Sequence, residues 1–301
     1  MRHPIYIPSK GRAEKPLTAR MFDGAGIPYT MVVEPSQEEA YAEWRERGML
    51  HVLPKDRMGL VYARNAIKDL SISRGEERHW QFDDDIRETV QIHKGYRLKC
   101  DPKIAISACE DFVERYENVA LASLNSEFFV PCNGAMWTQY PPFFLNQRCY
   151  TCFLMLNSLP NRWRNRYNED TDMTLQVLSD GWCTVLLNAF CIKTEGTANN
   201  STGKDGKGLK GGGGQAEVYA DDGRLKMSRD LERMWPGVVK TIRKYSRPQH
   251  KVAGQWMRFD TKLIPKAGAD NSPKRYGAKL VARKEPQSAE MRRLLEEAND
   301  G

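Results

Sequence analysis

Three consecutive aspartates, Asp83, Asp84 and Asp85, close a short apolar run that starts at His79 and resumes at Ile86. Adjacent carboxylates raise one another's pKa and repel unless a cation sits among them. The chemistry such a triplet suits is capture of a hard divalent ion. Mg2+ or Mn2+ takes one or two protein carboxylates and completes its shell with phosphate oxygens and water. A solvated acidic turn would use the same residues. A second acidic group, Asn168-Glu169-Asp170-Thr171-Asp172, opens a helical pattern far downstream, where acids also suit the helix dipole.

The elements that must position these acids alternate. Pro4 to Pro8 reads as a strand, followed by the polar turn Ser9 to Arg12 and a helix from Lys15-Pro16 to the Gly24/Gly26 pair, since proline suits a first helical turn and glycine an end. Tyr29 to Val33 is a second strand. Ser36 with Glu39 three residues on makes a capping box for a helix closed by Gly48. A strand at Leu50 to Leu53 and a helix from Leu60 to Ser73 lead into the strand Trp80 to Phe82. A helix from Asp101-Pro102 to Tyr116 and a strand from Val119 to Leu124 continue the series. This alternation predicts an α/β fold whose sheet is largely parallel and covered by helices on both faces. Residues 128–156, rich in aromatics and prolines, predict antiparallel strands and loops lining a cleft. A helix ending at Gly181 and a strand from Thr184 to Leu187 follow.

With 301 residues, 40% of them hydrophobic, the chain can bury a full core. It has no apolar run of membrane-spanning length and no leader at Met1, so a soluble intracellular protein is expected, with no membrane partner. Its odd number of cysteines, seven, suits reduced thiols, and the lone Cys149/Cys152 pair is expected to pack in the core. Charge is uneven. Residues 224–284 hold seventeen Lys/Arg against four Asp/Glu, so a segment of net charge +13 hides behind a whole-chain value of +7. Trp235, Tyr245, Trp256, Phe259 and Tyr276 interleave with those bases, a composition that meets phosphates and stacks on bases or sugars. Lys240, Arg243, Lys244 and Arg247, spaced as on a helix, are the candidate contacts to DNA. Residues 196–214 are Gly/Ser/Asn/Lys-rich and are expected to form a loop, with Lys204, Lys207 and Lys210 placed to close over a diphosphate.

Taken in order, IYIPSKGR at the start, Met58-Gly59-Leu60-Val61-Tyr62-Ala63-Arg64-Asn65, FDDDI, and Asn168-Glu169-Asp170-Thr171-Asp172 resemble glycosyltransferases of the GT-A type. The likeness is greatest to the phage TET-associated glycosyltransferases that modify DNA bases. It spans roughly residues 3–195 and implies a GT-A (Rossmann-like) core over 1–195, followed by a mobile loop over 196–223 and a basic extension over 224–301. It also implies a nucleotide-sugar donor, with UDP-sugar expected, a divalent metal, and 5-hydroxymethylcytosine in duplex DNA as acceptor. The setting would be the cytoplasm of a phage-infected bacterium. On this likeness Pro8, Ser9 and Arg12 line the nucleotide pocket, Glu34 lies near the base, and Arg64 and Asn65 hold donor groups. Asp83 and Asp85 approach the metal and the donor's ribose or diphosphate; Asp84 counts among the donor-binding residues, and in an extended segment its side chain should project to the other side. Asp85, with Asp83, binds the metal. Asp170 is the general base, Glu169 orients acceptor or sugar, and the reaction inverts the anomeric centre. His250 is the one histidine after the loop, and its role is left open.

Two other readings use the same features. A metal-dependent nucleotidyltransferase or nuclease would cluster carboxylates beside a basic surface, although phosphoryl chemistry favours acids that clamp two ions. A non-catalytic DNA-binding protein would keep the acidic cluster for structure alone.

Overall fold

The computed structural model describes residues 1–132, 140–195, 223–244, 247–272, 281–282 and 289–300. Its first strands follow from their side chains. β1 (Ile5–Pro8) is buried at every position and β2 (Thr30–Val33) at three of four, as apolar and β-branched strands inside a sheet should be. With β3 (Leu50–Val52) and β4 (Arg78–Phe82) they form a parallel set in the order β3-β2-β1-β4. The helices between them are α1 (Leu17–Ala25), the short α2 (Ala42–Glu46) and α3 (Leu60–Ser73). α1 stops where Gly26 takes a left-handed φ of +60°, as its position predicts. Strand order reverses at β1, with β2 on one side and β4 on the other. In open α/β sheets ligands bind in the crevice beyond the carboxyl ends of the strands at such a reversal. The Ser9–Arg12 turn leaves β1 there, and Asp83–Asp85 leaves β4 there.

β5 (Ile86–His93) and β6 (Tyr96–Cys100) follow as a hairpin, then α4 (Pro102–Val113), β7 (Val119–Ser126) and β8 (Phe143–Leu145). β9 (Cys152–Leu156) inserts antiparallel between β4 and β7. α5 (Glu169–Ser179) then leads into the long β10 (Cys183–Thr194), parallel to β7. Across the seven central strands from β10 to β3, four of six pairs are parallel. The additions beyond β10 are antiparallel, which the expected middle segment of antiparallel strands foreshadows.

Helices cover both faces. Phe22 of α1 and Ile106, Cys109 and Val113 of α4 pack with Ile5, Ile7, Trp80 and Phe82. Ala63 and Ile67 of α3 pack with Tyr6 and Val32, while Met173 and Val177 of α5 meet Leu121, Phe153 and Met155. The alternation of Ile5, Tyr6 and Ile7 between the two layers is the period-two signature of a strand. Cys149 and Cys152 are buried free thiols, as expected of core residues. No helix among the described residues is long and apolar enough to cross a membrane.

The basic segment is docked on this core. α6 (Gly223–Met234) precedes a hairpin of β11 (Val239–Lys244) and β12 (Arg247–Val252), and Leu231, Val239 and Val252 bury against Leu175 of α5. Further on, Asn146 Nδ2 donates to the carbonyls of Phe259 (3.0 Å) and Thr261 (2.9 Å), and Asn118 Nδ2 to that of Lys262 (2.8 Å). β13 (Val281–Ala282) adds to β6, and α7 (Ala289–Asp300) follows.

Two local expectations need correction. Lys240, Arg243, Lys244 and Arg247 lie on the β11-β12 hairpin, not on a helix, because the β-branched run Val238-Val239 and Thr241-Ile242 favours strand and outweighs the helical spacing of the bases. The Ser36/Glu39 capping box does not form. Two 3-10 turns, Pro35–Gln37 and Glu39–Tyr41, precede α2, and the Ser36 N–H goes to Asp56 Oδ1 at 3.2 Å. The break turns Tyr41 inward, where it is fully buried beside Ser9. The glycine-rich loop and its Lys204, Lys207 and Lys210 fall outside the described residues.

His79, the second residue of β4, is fully buried. Its Nδ1–H donates to Asn157 Oδ1 (2.6 Å), and Nε2 accepts from Gln81 Nε2 (2.9 Å), an arrangement only the neutral ring satisfies. Burial pushes its pKa down to about 4 from the usual 6.5, against the hydrogen bond to Asn157. The unfolded chain therefore binds the extra proton between these values. Stability should fall as pH drops from about 6.5 toward 4, with a slope of up to about 1.4 kcal/mol per pH unit from this residue. Urea titrations over that range should show one proton less in the slope for His79→Gln; an unchanged slope would remove His79 as the source.

Candidate active site

Asp83–Asp85 is a turn between β4 and β5, so the strand-like alternation expected to send Asp84 to the other side does not operate. Thr18 of α1 fastens it: the hydroxyl donates to the Asp83 carbonyl (2.5 Å) and accepts from the Ile86 N–H (3.0 Å). Asp84 and Asp85 both face Arg12, whose Nη1 lies 3.4 Å from Asp84 Oδ1 and 3.5 Å from Asp85 Oδ2. Asp83 turns instead to Arg64, which donates to its Oδ1 at 2.8 Å.

The turn after β1 closes on the same acids. Ser9 donates to Asp84 Oδ2 at 2.5 Å, leaving its oxygen to accept from the Tyr41 hydroxyl at 2.7 Å. Tyr41 in turn accepts the Arg12 N–H at 3.1 Å, which fixes where that arginine starts. Pro8 ends β1, and Glu34, just after β2, accepts from Lys10 Nζ (2.7 Å) and the Gly59 N–H (3.2 Å).

Arg64 is the bridge between the two acidic motifs. It is 1% exposed, lies against the rings of Phe153 (4.9 Å) and Trp163 (5.0 Å), and reaches Asp83 on one side and Glu169 Oε1, 3.8 Å away, on the other. Asn65, expected to hold donor groups, is engaged with Trp163 in this structure. Its Nδ2 donates to the Trp163 carbonyl (2.6 Å) and its Oδ1 accepts the Trp163 N–H (3.0 Å), so both ends of the amide steady the residue that covers Arg64.

The second motif separates by role. Asn168 sits at a left-handed φ of +53°, which asparagine tolerates better than most residues, and turns the chain into α5. Asp170 Oδ1 accepts its neighbour Thr171's N–H (2.6 Å) and Oδ2 lies 3.2 Å from Arg148 Nε. Asp172 is fully buried and structural: it accepts from Arg164 (3.1 Å), Gln176 (2.9 Å) and the Trp235 indole (2.8 Å), tying the basic segment to α5.

Five carboxylates thus share three arginines. Burial pushes Asp85 up to about 7, reinforced by the charge on Asp83 and opposed by Arg12. Burial likewise raises Asp83 and Asp84, against Arg64 and Arg12 respectively, and raises Glu169, with Asp170 adding and Arg64 opposing. The centre is short of positive charge.

Beside it opens a cleft of about 410 Å³ between the sheet and the basic segment, whose walls include Arg148, Tyr150, His250 and Trp256. His250 Nε2 lies 3.4 Å from the Thr171 hydroxyl, and burial, with Arg148 nearby, pushes its pKa down to about 4. Pairing of Thr241 with His250 puts them on one face of the hairpin, and Lys240, Lys244, Arg247 and Lys251 on the other. All four of these cations are exposed. A broader groove of about 810 Å³ beside them includes Lys226, Arg229, Arg233 and Lys240.

Arg148, Tyr41 and Tyr150 were not singled out in the sequence. Each is set in the site by packing of distant segments, and no local pattern announces them.

An α/β sheet with acids and arginines at the carboxyl edge where strand order reverses defines the general class, an open-sheet protein with a crevice at its switch point. The chain belongs to the TET-associated glycosyltransferase family, whose model matches residues 3–203. No curated protein matches. Among solved structures it is similar to A197 from STIV, with 14% identity over 64% of this chain and 84% of that one, at a TM-score of 0.38. It is also similar to mannose-1-phosphate geranyltransferase from Thermus thermophilus, with 12% identity over 88% and 73% of the two chains, at a TM-score of 0.32.

Proposed function

We propose that the protein moves a hexose from a UDP-sugar to the hydroxymethyl oxygen of 5-hydroxymethylcytosine in duplex DNA, with Mn2+ or Mg2+ as cofactor, in the cytoplasm of a phage-infected bacterium. The observation that carries this reading is the Arg64 bridge, which brings the Asp83–Asp85 turn and the Glu169-Asp170 pair into one crevice. Family membership supports sugar transfer. The exposed basic face beside the cleft supports a nucleic-acid acceptor.

The donor set fits a divalent cation. Among the described residues no three acidic, His or Cys side chains converge as a ready-made cage, yet a hard ion brought in with a diphosphate needs only one or two carboxylates. Asp85, partly exposed and facing Arg12, which it shares with Asp84, would hold it together with Asp83. Bound there, the ion would neutralise the leaving diphosphate. Arg12 is placed to bind donor phosphate oxygens, and Ser9 and Tyr41 keep Arg12 and Asp84 in position. Asp170 takes the proton of the acceptor hydroxyl as its oxygen bonds to the sugar's anomeric carbon. The bond from that carbon to the diphosphate oxygen breaks, and nucleoside diphosphate leaves. Attack from the side opposite the leaving group inverts the centre. Arg148 sets the carboxylate of Asp170, and Glu169 orients the acceptor or sugar.

Mass spectrometry of hydroxymethylated DNA after incubation with a panel of sugar nucleotides tests the reading directly; an added hexose is expected, and unmodified DNA with every donor would refute it. Asp170→Asn should lower transfer about 10² to 10⁴-fold while calorimetric donor affinity stays near wild type, because a general base contributes little to ground-state binding. Equal loss of donor binding would make Asp170 a donor or metal ligand instead.

On the hairpin, log affinity for duplex DNA should fall linearly with log salt, by about 0.9 per phosphate contacted. Charge reversal at Lys240, Arg243, Lys244 and Arg247 should flatten that line, with Arg243 contributing least because it lies on the opposite face. A slope unchanged by the reversal would move the DNA elsewhere.

A further inference from the structure

One exposed feature is unused by the chemistry above. A 3-10 turn, Glu127–Phe129, follows β7, held by Ser126 Oγ, which accepts the Phe128 N–H at 3.4 Å. It presents two phenylalanines to solvent, Phe128 at 81% and Phe129 at 59% exposure, set edge to face with centroids 5.3 Å apart. Large aromatics held this far out by a capped turn leave most of their surface in water, which is unfavourable. Phe129 is also anchored: its ring meets Tyr150 edge-on at 6.2 Å, and its carbonyl accepts from the Tyr140 hydroxyl at 3.2 Å. The pair therefore stands at the rim of the cleft that Phe129, Tyr140, Phe144, Tyr150 and Trp256 line with aromatic rings.

Two residues of the same cleft lie next to the α5 motif to which the acceptor chemistry is assigned above. Arg148 lines the cleft and lies 3.2 Å from Asp170, and His250 lines it beside Thr171. A hydroxyl must come within hydrogen-bond reach of Asp170 to lose its proton there. A base stacked inside a duplex is covered on both faces by its neighbours, and enzymes acting on a base draw it out of the stack into such a pocket. A volume of about 410 Å³ lies in the range of small-ligand sites. Aromatic walls with a few polar groups suit a planar heterocycle, and the basic hairpin flanking the opening suits the phosphates on either side of it.

We propose that this cleft receives the target base extruded from the duplex, and that Phe128 enters the helix to fill the gap the base leaves. Apolar side chains that insert between base steps offset unstacking in this way. The proposal rests on the DNA reading above and adds how the base reaches Asp170.

The test uses a duplex with one 5-hydroxymethylcytosine and 2-aminopurine beside it, whose emission rises when its stacking partner leaves. It needs no donor. The full-length protein should bind and raise the emission. Phe128→Ala should bind with a similar salt dependence but give little rise, and Phe128→Leu, which keeps an apolar wedge, should restore much of it. In transfer assays with an active sugar nucleotide, Phe128→Ala should lose about tenfold on the paired target relative to one placed opposite a mismatch, where unstacking costs less. Binding without any rise, or an equal rise and equal paired-to-mismatched ratio in Phe128→Ala, overturns extrusion by Phe128 while leaving DNA as acceptor. Failure of the wild type to bind the duplex at all overturns both.

Discussion

The crowding of carboxylates at the carboxyl edge of the sheet governs the rest of this structure. Two unit charges 4 Å apart repel by about 4 kcal/mol at the effective dielectric of a protein surface. Five acids gathered at one edge of the sheet repel one another unless cations lie among them or protons bind. Arg64 matters most because it is buried, lies against two aromatic rings, and faces an acid from each motif. Arg12 and Arg148 serve the two ends, one toward the β1 turn and the other toward the cleft. Burial first, and then the neighbouring charge of Asp83, still raises the pKa of Asp85 against Arg12.

Several ordinary-looking features exist to hold those cations. His79, Gln81 and Asn157 link β4 to α3, the helix that carries Arg64: Gln81 donates to the Arg64 carbonyl, and Asn157 to Ser71. Asn65 on the same helix grips Trp163, which covers the guanidinium. On the acceptor side, buried Asp172 fastens Trp235, so the hairpin with His250 is held against α5. The basic segment is therefore tied to the site itself, and one cation of its exposed face, Lys251, lines the cleft.

Much of this was legible in the sequence, for identifiable reasons. Elements bounded by proline and glycine, such as α1 and α3, fall where their punctuation puts them, because backbone restrictions act locally. The acidic triplet, which a solvated turn would use as well, lies beside the switch point, where the alternation of strands and helices puts the end of β4. The side to which each aspartate points was not legible. Asp83–Asp85 form a turn, and Thr18, from a different element, decides its shape. The helical spacing of Lys240, Arg243 and Lys244 misled because the buried partners of Val239 and Val252 on α5 are distant in sequence. Arg148 and Tyr41 could not be found at all from a single chain, as no local pattern distinguishes them from other arginines and tyrosines.

The central claim is that the Asp83–Asp85 turn binds a nucleotide-sugar through a divalent cation. Calorimetric titration of UDP-sugar into wild type and Asp85→Asn, each with Mn2+ and with chelator, addresses it most directly. The account predicts metal-dependent donor binding in the wild type and its loss in Asp85→Asn, with thermal stability retained. Donor affinity indifferent to both chelator and the Asp85 charge would contradict it.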